Sequence, residues 1–200
     1  YGAAPRDRRE VILVSGKPAP APDAAAFADL ARRIARGSTA IFLTPHALAK
    51  KDQPTGWLPL ARKGRIVGLP SWLYHKDEWC TRHPIFEGLP AGGLMDYTVY
   101  REIIPDAAFV GLDPPHQTVA AGINASQPAP YVSGVFVGVY NVGAGRLVIN
   151  TLRIRENLGP NPVAERLLRN LLCYAAQDAA QPPAELPADF DQQLKAMGYQ

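Results

Sequence analysis

The sequence has little cysteine, no long apolar run and no excess of one charge. Two cysteines among 200 residues, Cys80 and Cys173, exclude a disulfide framework and a paired-cysteine metal motif. No run approaches about 18 consecutive apolar residues, which excludes a membrane-spanning helix. The basic and acidic residues nearly balance (21 against 18) and are scattered, so we expect no nucleic-acid partner.

Proline is abundant, with 20 residues that cluster rather than spread. Because proline fixes φ and removes a hydrogen-bond donor, these clusters indicate connections between elements. They suggest a linker over 1–10, one domain over 11–178, and a proline-rich linker and tail over 179–200 that either packs on the domain or stays mobile. The chain begins with Tyr1 and lacks the apolar core of a signal peptide, so we expect a piece of a longer or processed protein.

Short apolar runs alternate with helical patterns along the domain. The runs 11–14, 40–43 and 147–149 resemble buried strands, and 65–69 and 132–140 are further strands. The helices are predicted after Asp23, around Trp57 to Ala61 and from Pro162, whereas 70–130 looks irregular. This order predicts an α/β domain with an open, mainly parallel sheet and helices on both faces. The turn Gly143-Ala144-Gly145 could add one antiparallel strand near the end.

Few residues carry a pattern typical of catalysis. Ser71 follows a predicted strand, but it lacks the surrounding glycines of a hydrolase nucleophile. The cluster His75, Asp77 and Glu78 could do acid–base work or hold a metal, or could equally form a solvated loop. His83 precedes a proline, which favours a turn cap. The glycine turn at 143–145 opens a strand rather than a helix, so we expect no nucleotide cofactor.

Aromatic and arginine residues form two further candidate groups. The first could contact a sugar or a protein, or could fill the interior; it comprises Trp72, Tyr74, Trp79, Tyr97, Tyr100 and Arg101. The second follows the last predicted strand, where ligands of open α/β sheets bind; it comprises Arg153, Arg155, Glu156 and Asn157. An interdomain hydrogen-bond cluster is an equally good interpretation of the second group.

Four segments together resemble a known family. They are HPIFEGLP (83–90), the stretch from GAGRLVINTLRIRENLG to LLCYAA (143–176), LPSWLYHKDEW (69–79) and GLMDYTVYREIIP (93–105). This set is similar to class I glutamine-amidotransferase-like, flavodoxin-like domains. It is most similar to those at the C-terminus of bacterial glycoside hydrolases of the β-galactosidase/β-glucuronidase type. The similarity covers roughly residues 10 to 178.

The resemblance also implies that the family's own chemistry is absent. The position of the family's cysteine corresponds to Thr44-Pro45-His46, and that of its His-x-Glu pair to Asn150–Arg153, which holds no histidine. Glutamine hydrolysis is therefore not expected. In the glycosidase architecture, the catalytic carboxylates lie in a separate barrel.

The sequence thus predicts a non-catalytic accessory domain of a bacterial glycoside hydrolase, which supports the catalytic barrel or oligomer assembly. The expected partners are other domains of the same polypeptide, with a homo-oligomer and a glycan also open, and no cofactor or metal is expected. Two alternatives remain: a sugar-binding module, or a free-standing hydrolase that uses His75, Asp77 and Glu78. The compartment stays open, with a periplasmic or secreted location favoured over the cytoplasm.

Overall fold

The computed structural model describes residues 7–16, 24–69, 76–124 and 131–199, which form one nine-stranded mixed sheet with its packed helices. The strands are β1 (Val11–Val14), β2 (Thr39–Phe42), β3 (Lys63–Gly68), β4 (Lys76–Cys80), β5 (Gly93–Leu94), β6 (Ala107–Leu112), β7 (Gln117–Asn124), β8 (Val132–Val142) and β9 (Gly145–Asn150). The helices are α1 (Ala24–Ala35), α2 (Tyr97–Tyr100), α3 (Pro162–Ala175) and α4 (Phe190–Ala196), with 3₁₀ turns at Pro45–Leu48, Pro84–Phe86, Arg155–Asn157 and Ala176–Asp178.

The prediction of an open, mainly parallel sheet with helices on both faces is wrong. The strand order is β1-β2-β9-β8-β7-β4-β5, and β6 joins β3 to β8. Only the pairs β1–β2 and β2–β9 are parallel; every other strand pair in the described ranges is antiparallel. A parallel pair needs a crossover of about a dozen residues or more. The connection 113–116 is far shorter than that, and 143–144 closes an antiparallel hairpin between β8 and β9.

The first and last parts of the domain follow the sequence pattern. The predicted strand β1 and the predicted helices α1 and α3 are present, and α3 begins at Pro162 behind an Asn161 cap. Gly37 ends α1 in the left-handed region (φ 115°), which a glycine adopts without strain. The capping residue expected for α1, Asp23, lies outside the described residues.

Two expectations fail in the middle of the chain. The helix predicted around Trp57 is a series of turns, and Pro59 interrupts it. The stretch 70–130, predicted to be irregular, contributes β4, β5, α2, β6 and β7. The strands β6 and β7 are rich in alanine and glycine, residues that are depleted in strands, so periodicity and propensity did not indicate them.

The core has two parts, which lie on opposite sides of the parallel strands. Alternate residues of β2 point to opposite sides, so Ile41 packs with α3 and Phe42 packs with α1. The α3 side also buries the 3₁₀ turn Pro84–Phe86 and Tyr100. No helix in the described ranges is both long enough and apolar enough to cross a membrane.

The C-terminal tail packs on the α1 side of the core. Phe190, Leu194 and Tyr199 are buried there, and the Tyr199 hydroxyl donates to the carbonyl of Trp57. Lys63 donates to the carbonyl of Met197 at 2.7 Å, and burial lowers its pKa, as does the charge of Lys50. Of the two states open for the tail, the structure has the packed one.

Candidate functional site

The acid cluster of the sequence does not converge in the structure. Asp77 and Glu78 are consecutive on β4, where they pair with Ile123 and Gly122 of β7. Successive strand residues point to opposite faces, so the two carboxylates lie on different sides of the sheet. His75 lies outside the described residues. No group of three metal-ligating side chains occurs within the described part of the chain.

An apolar strip crosses the end of the sheet formed by β5, β4 and β7. We use this name for Leu94, Trp79 and Ile123. Leu94 is directly opposite Trp79, and Ile123 is one diagonal step away, opposite Asp77. All three lie on the face opposite to Cys80, which points into the core. Leu94 is 70% exposed and Ile123 46% exposed, while Trp79 is half-buried.

Tyr97 and Arg101 belong to α2 and its C-terminal cap, and this helix follows β5 in the chain. Asp96 caps this helix by accepting from the backbone N–H of Thr98 at 2.8 Å and from its hydroxyl at 2.6 Å. These hydrogen bonds lower the pKa of Asp96. The Tyr97 ring is 54% exposed, with the Arg101 guanidinium 6.0 Å from its centroid.

Tyr100, one turn further along, is not a surface residue. Its side chain is fully buried, its hydroxyl donates to the carbonyl of Pro90 at 2.6 Å, and its ring packs edge-on against Phe86. Burial raises the pKa of Tyr100. It anchors α2 to the core. The remaining two members of the aromatic group, Trp72 and Tyr74, lie outside the described residues.

The loop after β9 joins the end of α2. The side-chain amide of Asn157 donates to the carbonyls of Glu102 at 2.8 Å and Arg153 at 2.7 Å. The backbone of Arg153 donates to Ile103 at 2.9 Å. Arg153, Arg155 and Glu156 are exposed. The two candidate groups, about 50 residues apart in the chain, therefore adjoin, and Asn157 connects them.

Thr44 and Asn150, two of the positions that the resemblance aligns with catalytic residues, are buried. Thr44 is 3% exposed, and its hydroxyl has no hydrogen-bond partner among the described residues. Asn150 is fully buried and donates to the carbonyls of Leu43 and Leu152 at 3.0 and 2.9 Å. It also accepts from the backbone of Leu152 at 3.1 Å. This amide binds the ends of β2 and β9 together.

A polar cluster around His83 was only partly anticipated. His83 caps the 3₁₀ turn as predicted, because its Nδ1 accepts from the backbone of Ile85 at 3.2 Å. Its Nε2 lies 2.8 Å from Oε1 of Gln117, which also accepts from the Tyr174 hydroxyl at 3.1 Å. The guanidinium carbon of Arg146 lies over the Tyr174 ring, 4.8 Å from the ring centroid. Gln117, Tyr174 and Arg146 are far apart in sequence and carry no motif, so only the fold brings them together.

Comparison with known proteins adds no family to this picture. No protein-family model matches the chain, and no curated protein sequence matches it.

Proposed function

We propose that this chain is a non-catalytic accessory domain of a bacterial glycoside hydrolase, and that its apolar strip contacts a neighbouring domain of the same polypeptide. The exposure of Leu94 and Ile123 on the two sides of Trp79, all on one face of the sheet, is the observation that carries the contact. Single exposed apolar side chains are ordinary, but a contiguous set on one face is typical of an interaction site. The glycosidase context is supported by the segment resemblance.

The surroundings of the strip fit a protein interface. Asp77 is exposed and lies on the same face, directly opposite Ile123, so a charged residue borders the apolar side chains. Three further exposed residues, Tyr97, Arg101 and Arg153, are of types that are enriched in protein interfaces. An apolar centre with a polar margin is the usual anatomy of such a contact.

The arrangement of the carboxylates supports the non-catalytic part of the proposal. Glycoside hydrolysis needs two carboxyl groups that face one sugar across about 5 to 9.5 Å. Asp77 and Glu78 point to opposite faces of β4, so they do not make such a pair.

The test of this part is hydrolysis. The isolated chain should release no product from aryl β-galactosides or aryl β-glucuronides. The longer polypeptide that carries the chain should be active, and Asp77→Asn or Glu78→Gln within it should change kcat less than about threefold, a loss of under 1 kcal/mol. Turnover by the isolated chain, or a loss of several orders of magnitude in either variant, contradicts the proposal.

A sugar-binding module is the second candidate, and the exposed Tyr97 ring beside Arg101 favours it. A flat aromatic face next to hydrogen-bond donors suits a pyranose ring. Calorimetric titration with galactose- or glucuronate-containing oligosaccharides tests this candidate. Saturable heat that Tyr97→Ala abolishes supports it. Absence of heat at millimolar sugar, or binding that Tyr97→Ala leaves unchanged, eliminates Tyr97 as a sugar platform.

A further inference from the structure

The outer edge of β1 has no strand beside it in the part of the chain that the structure describes. β1 is the last strand of the sheet on its side. The carbonyls of Glu10 and Val14 accept from Thr39 and Leu43 of the β2 segment. In a parallel ladder alternate residues bond to the same side, so the backbone groups of Val11 and Leu13 point away from β2. No strand within the described residues pairs with these groups.

An apolar notch accompanies this open edge. We use the name for Val11, Leu13, Leu168 and Leu172. Leu13 is 41% exposed, although the sequence predicts β1 to be buried on both faces. It sits beside Ile41, on the α3 side of the sheet.

Helix periodicity directs two leucines of α3 towards the β1 side of the sheet, where they complete the notch. Asn170 on one flank of α3 donates to the carbonyls of Ile85 and Glu87. At 100° per residue, Leu168 and Leu172 lie on the opposite flank, towards β1. Leu168 is half-buried and Leu172 is 36% exposed.

The open edge has a defined length. The backbone of Arg9 donates to the carbonyl of Gln181 at 3.3 Å, and its Nε donates to that of Pro182 at 3.0 Å. The tail therefore closes the edge immediately before β1. Beside Val11 to Val14 no such contact occurs within the described ranges, and all four residues are apolar.

We propose that this chain forms a homodimer in which β1 pairs antiparallel with β1 of a second copy. With Ile12 on the twofold axis, Val11 lies opposite Leu13 of the second copy. Both residues point their backbone groups outward. The pair of Val11 with Leu13 of the second copy therefore exchanges two hydrogen bonds, and so does its symmetry mate. The twofold rotation places Val11 of one copy opposite Leu13 of the other, and Leu13 opposite Val11. The same surface of each copy therefore forms the contact, as an isologous interface requires.

Side chains and charges fit the same register. Leu13 meets Val11 of the second copy on the α3 side, and the notches of both subunits become continuous. Glu10 lies opposite Val14, so no like charges face each other. Glu10 is also neutralised by Arg33, whose Nε is 2.7 Å from the carboxylate. The inference does not depend on the proposed glycosidase context.

Sedimentation velocity over a range of chain concentrations tests the dimer. The wild-type chain should approach twice its mass of 21.6 kDa. Leu13→Asp should raise the dimer dissociation constant at least about tenfold, the equivalent of roughly 1.4 kcal/mol. The matched control Leu186→Asp replaces a leucine of similar exposure outside the notch and should leave the constant unchanged. A wild-type monomer at all concentrations, or equal dimerisation of Leu13→Asp, overturns the proposal.

A cross-linking experiment tests the register even if Leu13→Asp folds poorly. In a Cys173→Ser background, an equal mixture of Val11→Cys and Leu13→Cys proteins is oxidised. The register predicts a disulfide between the two different variants. Each variant alone should cross-link at least about fivefold less, because its cysteines are not directly opposed. Equal cross-linking in all three samples, or in none, contradicts it.

Discussion

The parallel and the antiparallel parts of the sheet are built on different principles. In the parallel part, β1, β2 and β9 carry large aliphatic residues and are covered by α1 on one side and α3 on the other. In the antiparallel part, the strands are rich in glycine and alanine, and the ring of Phe136 on β8 occupies the space beside Gly122 of β7. Helices cover both sides of the first part, whereas the second has one side packed against the core and leaves the apolar strip exposed on the other.

The antiparallel part should be broken most severely by removing Phe136. This side chain is fully buried, and its ring occupies the space where a Cβ of Gly122 would lie, 2.4 Å from Cζ. Phe136→Ala should cost about 3–5 kcal/mol of unfolding free energy, because removal of a fully buried ring leaves a large cavity in the core. Urea denaturation measures it.

The control for this prediction is Tyr131→Ala, just before the same strand, where the ring is exposed. It should change stability by less than about 0.5 kcal/mol. A loss below about 1 kcal/mol for Phe136→Ala would contradict an interlock of glycine and aromatic ring.

The parallel part should respond next most strongly, to Asn150→Ala. The substitution leaves two carbonyls and one N–H at the ends of β2 and β9 without a partner in a buried site. The expected loss is about 1–3 kcal/mol. Asn157→Ala is the matched control. The Asn157 amide also donates to two carbonyls, but it lies near solvent, so water can hydrogen-bond to these carbonyls after the substitution. Equal losses of unfolding free energy in the two variants would show that the hydrogen bonds of Asn150 do not hold the ends of β2 and β9 together.

The same comparison explains what the sequence could predict. Continuous apolar runs and a capped amphipathic pattern are local signals, so β1, α1, β2, β9 and α3 could be found from them. Whether two strands pair parallel or antiparallel depends on contacts between residues far apart in sequence, which local patterns do not show. For this reason the sequence predicts a mainly parallel sheet, whereas β6, β7 and β8 pair antiparallel. Ala- and Gly-rich strands such as β7 carry no periodic signal of their own.

The candidate site shows the same division. Residue type indicated Tyr97, Arg101 and Asn157, but not that Asn157 would join the loop after β9 to α2. Tyr100 has the same local pattern as Tyr97, and the two residues lie on the same side of the helix at a spacing of three. The packing around α2, with Phe86 and the Pro90 carbonyl at Tyr100, therefore decides which ring is buried. Exposure of Leu94 and Ile123 could not be predicted, because neighbouring strands decide it.

The tail should stabilise the parallel part through a smaller contribution. Tyr199→Phe removes the hydrogen bond to the Trp57 carbonyl but keeps the ring, so the loss should be about 1 kcal/mol. Thermal unfolding followed by circular dichroism measures it. Tyr97→Phe, at an exposed ring, should shift the midpoint by less than about 1 °C. An unchanged midpoint for Tyr199→Phe would mean that the tail does not depend on this bond.

The smallest effect concerns His83, where the two parts meet. Burial lowers the pKa of His83, and the charge of Arg146 lowers it too, against the Gln117 hydrogen bond. The unfolded chain therefore binds the proton more readily. The stability from neutral His83 is complete above about pH 6.5 and is lost as the pH falls from there towards the lower folded pKa.

Urea denaturation at pH 7.5 and pH 5.5 measures the loss of stability that accompanies protonation of His83. His83→Asn keeps an N-cap without titrating, so it should show a weaker pH dependence than the wild-type chain. His116→Asn, at an exposed histidine, should behave as wild type. Parallel curves for His83→Asn and wild type would exclude His83 as the cause.

The contact made by the apolar strip is the central claim, and thermal unfolding in two contexts tests it most directly. Leu94→Glu with Ile123→Lys introduces two exposed, opposite charges, so the isolated chain should lose less than about 1 kcal/mol. Within the longer polypeptide that we propose, the same pair of charges would be buried against a neighbouring domain. There the domain should lose its coupled unfolding, with a midpoint lowered by several degrees more than in the isolated chain. An equal, small shift in both contexts would contradict the account.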